Sequence, residues 1–153
     1  MKSVLTGLPA RLRNCRGVLV DSNILLDIAT NDAKWSDWSG GALAECAEHA
    51  TLIVNPIIYA EVSIGYTTIE ALNAALPRSL YQRNTLPWEA GFLAGKCFLA
   101  YRRRGGSRNT PLPDIYIGAH AAIEHLALLT RDAATFQTYF PNLEILSPPK
   151  SLR

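Results

Sequence analysis

The strongest constraint on this chain is a set of four short apolar runs: 17–20 (GVLV), 51–54 (TLIV), 127–130 (ALLT) and 143–146 (LEIL). The first three are continuous rather than alternating, which is the pattern of strands buried on both faces of a sheet. Longer stretches with helical signals separate the runs. Strands alternating with helices predict a three-layer α/β/α fold around a central, mostly parallel sheet of four to five strands.

The helices carry their own punctuation. Asn55 and Pro56 suit the N-cap and first position of a helix running through IIYAEVSIGY. Residues 22–30 read as a short helix, and 36–50 as helical in their second half. Thr67 and Glu70 have capping-box spacing for a helix through Leu76. Residues 77–87 read as a connector. In 88–104, apolar residues at 88, 92, 93, 99 and 101 predict an amphipathic helix stopped by Gly105-Gly106. A loop over 107–113 precedes a helix from Pro113 to about His125, and Asp132 opens a short helix to Tyr139. Residues 1–16 read as a loose, basic lead-in and 148–153 as a loose tail, leaving one domain over 1–153.

Composition excludes several classes. The 153 residues are 48% hydrophobic and 18% charged, which suits a globular chain able to bury a core. Cys15, Cys46 and Cys97 are odd in number, widely spaced and contain no C-x-x-C, so neither a disulfide framework nor a zinc site is expected. No apolar run approaches the roughly 20 residues of a membrane span. Pro9 and four basic residues interrupt the N-terminal stretch where a signal peptide would need an apolar core. The expectation is a cytoplasmic protein with no membrane partner. A net charge of +2 neither requires nor excludes nucleic acid, because a local patch matters more than the sum.

Of the 13 acids, four occupy positions that ordinary solvated acids do not. Asp21 ends the first strand, and Asp132 lies just beyond the third. In a parallel α/β sheet both would face the crevice at the strands' carboxyl ends. Glu61 and Asp114 lie in apolar helices that must largely be buried. Carboxylates near a core are costly, and converging ones repel each other and raise one another's pKa. One or two hard divalent cations, Mg²⁺ or Mn²⁺, would relieve both problems and supply water activation for phosphodiester hydrolysis. Each acid also has a plainer reading: Asp21 and Asp132 as N-caps, Asp114 as a dipole-favoured acid of a first helical turn, Glu61 as a solvated helix residue.

The stretches VLVDSNILLDI, NPIIYAEVSIGY, PLPDIYIGAHAAIEHLALLTRDAATF and FPNLEILSP together resemble a PIN domain, in particular the VapC-like ribonuclease toxins of toxin–antitoxin pairs. The resemblance spans about 17–147. It implies that Asp21, Glu61 and Asp114 are the main metal ligands and Asp132 an outer or second-metal ligand. Ser22, Asn23 and Thr130 match the small polar residues that accompany those acids. It further implies a divalent-metal-dependent endoribonuclease, an RNA substrate, a homodimer, and a cognate antitoxin that blocks the groove. Asn55 replaces the more usual Ser or Thr before proline, and Gly118 and His120 vary the run after the third acid.

Other features have competing readings. Arg102, Arg103, Arg104 and Arg108 could follow an RNA backbone or merely complement a helix end. Arg11, Arg13 and Arg16 share that ambiguity. His120, Glu124 and His125 lack the spacing of the common zinc motifs, and a buried or solvated histidine is the better reading. Trp35, Trp38 and Trp88 suit the core or a protein interface, with Trp88 assigned to core or dimer packing and Cys97 to the core. The alternative function is a catalytically silent PIN-like module that binds RNA or a partner. A dehalogenase-like phosphatase would want an acid where Asn23 stands. A phospho-receiver would want a late lysine on the sheet, whereas Lys96 and Lys150 fall on a helix and in the tail.

Overall fold

The computed structural model describes residues 3–108 and 112–153; part of the expected 107–113 loop, residues 109–111, lies outside them. In chain order the elements are α1 (Leu8–Arg11), β1 (Val18–Val20), α2 (Ser22–Ala29), α3 (Ser36–His49), β2 (Leu52–Val54), α4 (Pro56–Ser63) and α5 (Ile69–Ala75). Then follow β3 (Tyr81–Arg83), α6 (Trp88–Arg103), α7 (Pro113–Ile123), β4 (Ala127–Leu129), α8 (Ala133–Tyr139) and β5 (Ile145–Leu146). The sheet order is β3-β2-β1-β4-β5, and every neighbouring pair is parallel. In register, Val18 faces Leu52 on one side and Ala127 on the other.

This order explains the apolar runs. All nine residues of β1, β2 and β4 are buried, because helices cover both sheet faces. Crossovers between parallel strands are right-handed almost without exception. From β1 the chain moves outward through β2 to β3, then returns past β1 to β4 and β5. The two directions put α2–α5 on one face and α6–α8 on the other. The reversal falls between β1 and β4, where adjacent strands send their following helices to opposite faces. That is where a crevice opens at the carboxyl edge of such a sheet.

Several expectations need correction. The 77–87 connector contains the edge strand β3. The 1–16 lead-in is not loose in its described part: Leu5, Leu8 and Leu12 are buried in the core. Arg11 is tied to the far edge of the sheet, pairing with Glu144 and donating from Nη2 to the Ile145 carbonyl at 2.7 Å. Trp88 is not core, since it stands 94% exposed with Phe92 and Leu99 also open. The buried stripe of α6 consists instead of Ala90, Ala94 and Cys97. Helix α3 is helical from Ser36 onward. Helix α5 is capped by Thr68, whose hydroxyl accepts from Ala71 N at 3.1 Å, rather than by Thr67. Gly118 is a sequence departure with a packing cause: a Cβ there would lie 2.3 Å from the Phe140 ring.

Candidate active site

Asp21 follows β1 and caps α2. Its Oδ1 accepts from Ser22 N at 2.8 Å, and its Oδ2 accepts from the Thr130 hydroxyl at 2.7 Å. Thr130, fully buried after β4, thus bridges the two strands that flank the reversal point. Its oxygen also accepts from Asp132 N at 3.1 Å and from Asn23 Nδ2 at 3.3 Å. Asn23 in turn accepts from Arg131 N at 3.3 Å. The Ser22 hydroxyl donates to Glu61 Oε1 at 3.0 Å, reaching from α2 to α4. The three small polar residues therefore connect Asp21 to Glu61 and to the loop bearing Asp132, and none of these bonds reaches Asp114.

Electrostatics couples all four acids. Burial, opposed by the Thr130 and Ser22 hydrogen bonds and reinforced by Glu61 and Asp132, holds Asp21 at about 6. Asp114, at the start of α7, is also raised to about 6, first by burial and then by Asp21 and Asp132. Burial raises Glu61, the Ser22 hydroxyl opposes it, and Asp114 adds to it. The charges acting on Asp21 and Asp114 are all negative. Asp132 is exposed and caps α8, accepting the Thr135 hydroxyl at 2.8 Å, so its plainer capping role is present in the geometry.

Among the described residues, no group of three or more His, Cys, Asp or Glu side chains is placed to hold a metal ion. The donor chemistry still suits a hard divalent ion. The groups are oxygen-only, partly desolvated and short of positive charge, and Mg²⁺ commonly takes only one or two carboxylates and keeps several waters. A larger cavity of about 550 Å³ lies elsewhere, lined by Arg11, Cys15, His125 and Glu144 among others, and contains none of the four acids.

Two networks beside the acids escaped the sequence reading. Asp27 on α2 is buried and takes a two-pronged contact from Arg131, at 2.7 Å from Nε and 3.0 Å from Nη2. It also accepts from Ser39 Oγ at 2.7 Å, and Arg131 lies 5.1 Å over the Trp35 ring. Counting Asp27 among ordinary solvated acids was wrong; its place in the apolar helix SNILLDIA was the usable signal. The second network joins two of the sequence departures. Asn55 caps α4 by accepting from Ile58 N at 2.9 Å, and its Nδ2 meets His120 Nδ1 on α7 at 2.9 Å. With Asn55 as donor, the ring proton of His120 sits on Nε2, which is buried without a partner among the described residues. Burial also lowers the His120 pKa. The pair therefore links the helix bearing Glu61 to the helix bearing Asp114.

Arg102 Nη1 donates to the Arg108 carbonyl at 2.7 Å, and Arg104 lies 5.6 Å over the Tyr139 ring. Arg102, Arg103, Arg104 and Arg108 are all exposed.

Solved structures share this architecture. A chain of VapBC2 from Rickettsia felis, bound to a promoter DNA fragment, matches with a TM-score of 0.65 at 20% identity, covering 84% of this chain and 96% of that one. A chain of VapBC-1 from nontypeable Haemophilus influenzae gives 0.63 at 19% identity, covering 85% and 96%. A toxin–antitoxin complex from Klebsiella pneumoniae gives 0.63 at 20%, covering 86% and 98%. At these identities the likeness is one of fold. No curated protein matches the sequence. The PIN domain family model matches residues 18–140, which hold β1, all four candidate acids and the strand pair at the reversal point, and the chain belongs to the PIN-domain family.

Proposed function

We propose that this protein is a divalent-metal-dependent endoribonuclease acting as the toxin of a toxin–antitoxin pair. The observation that carries the reading is the convergence of acids from separate elements at the carboxyl edge of the sheet: Ser22 ties Asp21 to Glu61, Thr130 ties Asp21 to the Asp132 amide, and Asp114 lies within electrostatic reach of Asp21. Asp21, Glu61 and Asp114 would hold Mg²⁺ or Mn²⁺, with Asp132 as an outer or second-ion ligand. When bound, such an ion activates water and neutralises charge developing on a phosphodiester. The chain's own residues set the frame. Thr130 orients Asp21, Ser22 orients Glu61, and Asn23 holds the loop after β4 against α2.

The partner reading follows from the neighbours, one of which is a toxin–antitoxin complex. A cognate antitoxin would bind this chain, and a homodimer would cover exposed apolar surface such as Trp88, Phe92 and Leu99 on α6. Arg102, Arg103, Arg104 and Arg108 would offer the RNA backbone positive charge. Among the described residues no helix is long and apolar enough to cross a membrane, and the reading places the protein in the cytoplasm.

The open arrangement of the acids favours one alternative, a silent module that binds RNA or a partner without cutting it. Cleavage of total RNA with Mg²⁺ or Mn²⁺ separates the two. The nuclease reading expects cutting that EDTA and Asp21→Ala both abolish. Metal-independent cutting, or equal cutting by the variant, overturns it.

A further inference from the structure

A second cleft lies on the same carboxyl edge, where β2 and β3 end. Val54, Pro56, Tyr59, Arg83, Asn84 and Thr85 surround about 250 Å³ of space. An apolar cavity of roughly 150 Å³ takes a benzene ring, so this one has room for a nucleobase. Val54, Pro56 and the Tyr59 ring give it apolar walls. Arg83 stands 5.2 Å over the Tyr59 ring and supplies a cation. It is braced from below, donating from Nη2 to Asn73 Oδ1 at 2.9 Å and to the Leu76 carbonyl at 3.3 Å. Its Nε is buried without a hydrogen-bond partner among the described residues. Asn84, also in the lining, accepts at Oδ1 from Gln82 at 2.8 Å, so the rest of its amide donor capacity resides on Nδ2.

The position matters as much as the lining. Asp21 and Asp132 stand in the gap between the ends of β1 and β4, with Glu61 on α4 and Asp114 on α7, whereas this cleft sits in the gap between the ends of β2 and β3 and shares α4 with Glu61. In the order β3-β2-β1-β4 the two gaps are two strand spacings apart. At about 4.8 Å per spacing, that is roughly 10 Å along the sheet edge. A single strand of RNA crossing that edge would meet both.

We propose that this cleft is a subsite for one unpaired base of the RNA strand, read by stacking on Tyr59 and by the Asn84 amide, with Arg83 supplying positive charge beside it. The proposal rests on the ribonuclease reading for its choice of RNA. An aromatic face, a neighbouring guanidinium and an edge donor are the means by which proteins hold splayed single-stranded bases. The mostly apolar walls favour a base over a bare phosphate. The site would make cleavage depend on the identity or presence of a base a short distance from the scissile bond.

The test measures binding rather than cutting. A labelled single-stranded oligoribonucleotide is titrated with the protein in EDTA, with one abasic nucleotide moved along it position by position. The proposal expects one position at which losing the base weakens binding by about 5- to 100-fold. Tyr59→Ala should weaken binding of the intact strand comparably and erase that positional penalty. Tyr59→Phe keeps the ring and should behave as wild type, which separates stacking from loss of the hydrogen bond that the Tyr59 hydroxyl donates to Asn73 Oδ1 at 2.8 Å. A flat abasic profile in the wild-type protein overturns the subsite, as does a penalty that survives Tyr59→Ala. The wild-type scan needs no variant to fold. If the penalty is present but metal-dependent cleavage is absent, the nuclease reading fails and the subsite stands. Cleavage with a flat profile has the opposite meaning.

Discussion

Asp21 and Asp27 sit six residues apart around the same helix, and each is only 3% exposed. Their surroundings differ in one respect. Asp27 receives the Arg131 guanidinium and the Ser39 hydroxyl, so its charge has a fixed counter-charge. Asp21 receives a hydroxyl and a backbone amide, and the charges around it are negative. A buried carboxylate with a cation is held by the fold. One without a cation is a cost the fold bears, and PIN-type chemistry is a reason to bear it.

That contrast can be broken most sharply at Asp21. Asp21→Asn should cut RNA cleavage by at least about a hundredfold, since an ion ligand supplies several kcal/mol of charge stabilisation. The same change removes a desolvated charge but also one of the two acceptor oxygens used by Ser22 N and the Thr130 hydroxyl, so the thermal midpoint of the metal-free protein should shift far less than in Asp27→Ala. A gel assay and a melting curve on one preparation test both halves. Asp27→Ala should do the reverse. It strands the partly buried Arg131 and should cost about 3 kcal/mol of stability by denaturant titration. Replacing both members with apolar residues should cost less than Asp27→Ala alone.

Acidity sharpens the comparison next. Asp21 and Asp114 both have folded pKa values near 6, above the ordinary value of 3.8. Between those two values the folded state binds more protons than the unfolded one. The stability these groups contribute is therefore fully present below about pH 4 and is lost as pH rises through 6. The metal-free protein should be more stable at pH 5 than at pH 7 on their account, by on the order of 1 kcal/mol, the share of the partly exposed Asp114 being reduced by solvent screening. Mn²⁺ at pH 7 should recover part of that loss in wild type but not in Asp21→Asn. An unchanged midpoint in wild type would count against the metal site. The smallest effect belongs to the clamp between α4 and α7. Asn55→Ala removes a helix cap and one partner of His120, and should cost about 1–2 kcal/mol in a melting curve.

Legibility in the sequence followed burial. β1, β2 and β4 were readable because both their faces are covered, which leaves continuous apolar runs. β3 was not, because Tyr81-Gln82-Arg83 buries only one of its three side chains and carries no such run. In α6 the bulky apolar residues drew attention to the wrong face, while the contact is made by Ala90, Ala94 and Cys97, whose small size permits close packing. Leu5, Leu8 and Leu12 have helical spacing, but Gly7, Pro9 and Arg11 interrupt the pattern. The acids were easier to read than their setting, because a carboxylate after a strand or inside an apolar helix is conspicuous. The partners that separate Asp21 from Asp27 come from distant segments, and no local pattern announces them.

Arg11 has a consequence for handling the protein. β5 is the last strand of the sheet, and strands in that place offer unpaired carbonyls to any passing chain. By occupying the Ile145 carbonyl and holding Glu144, Arg11 blunts that template. Trimming the N-terminal segment to tidy an expression clone would uncover it, and self-association into aggregates is the expected outcome.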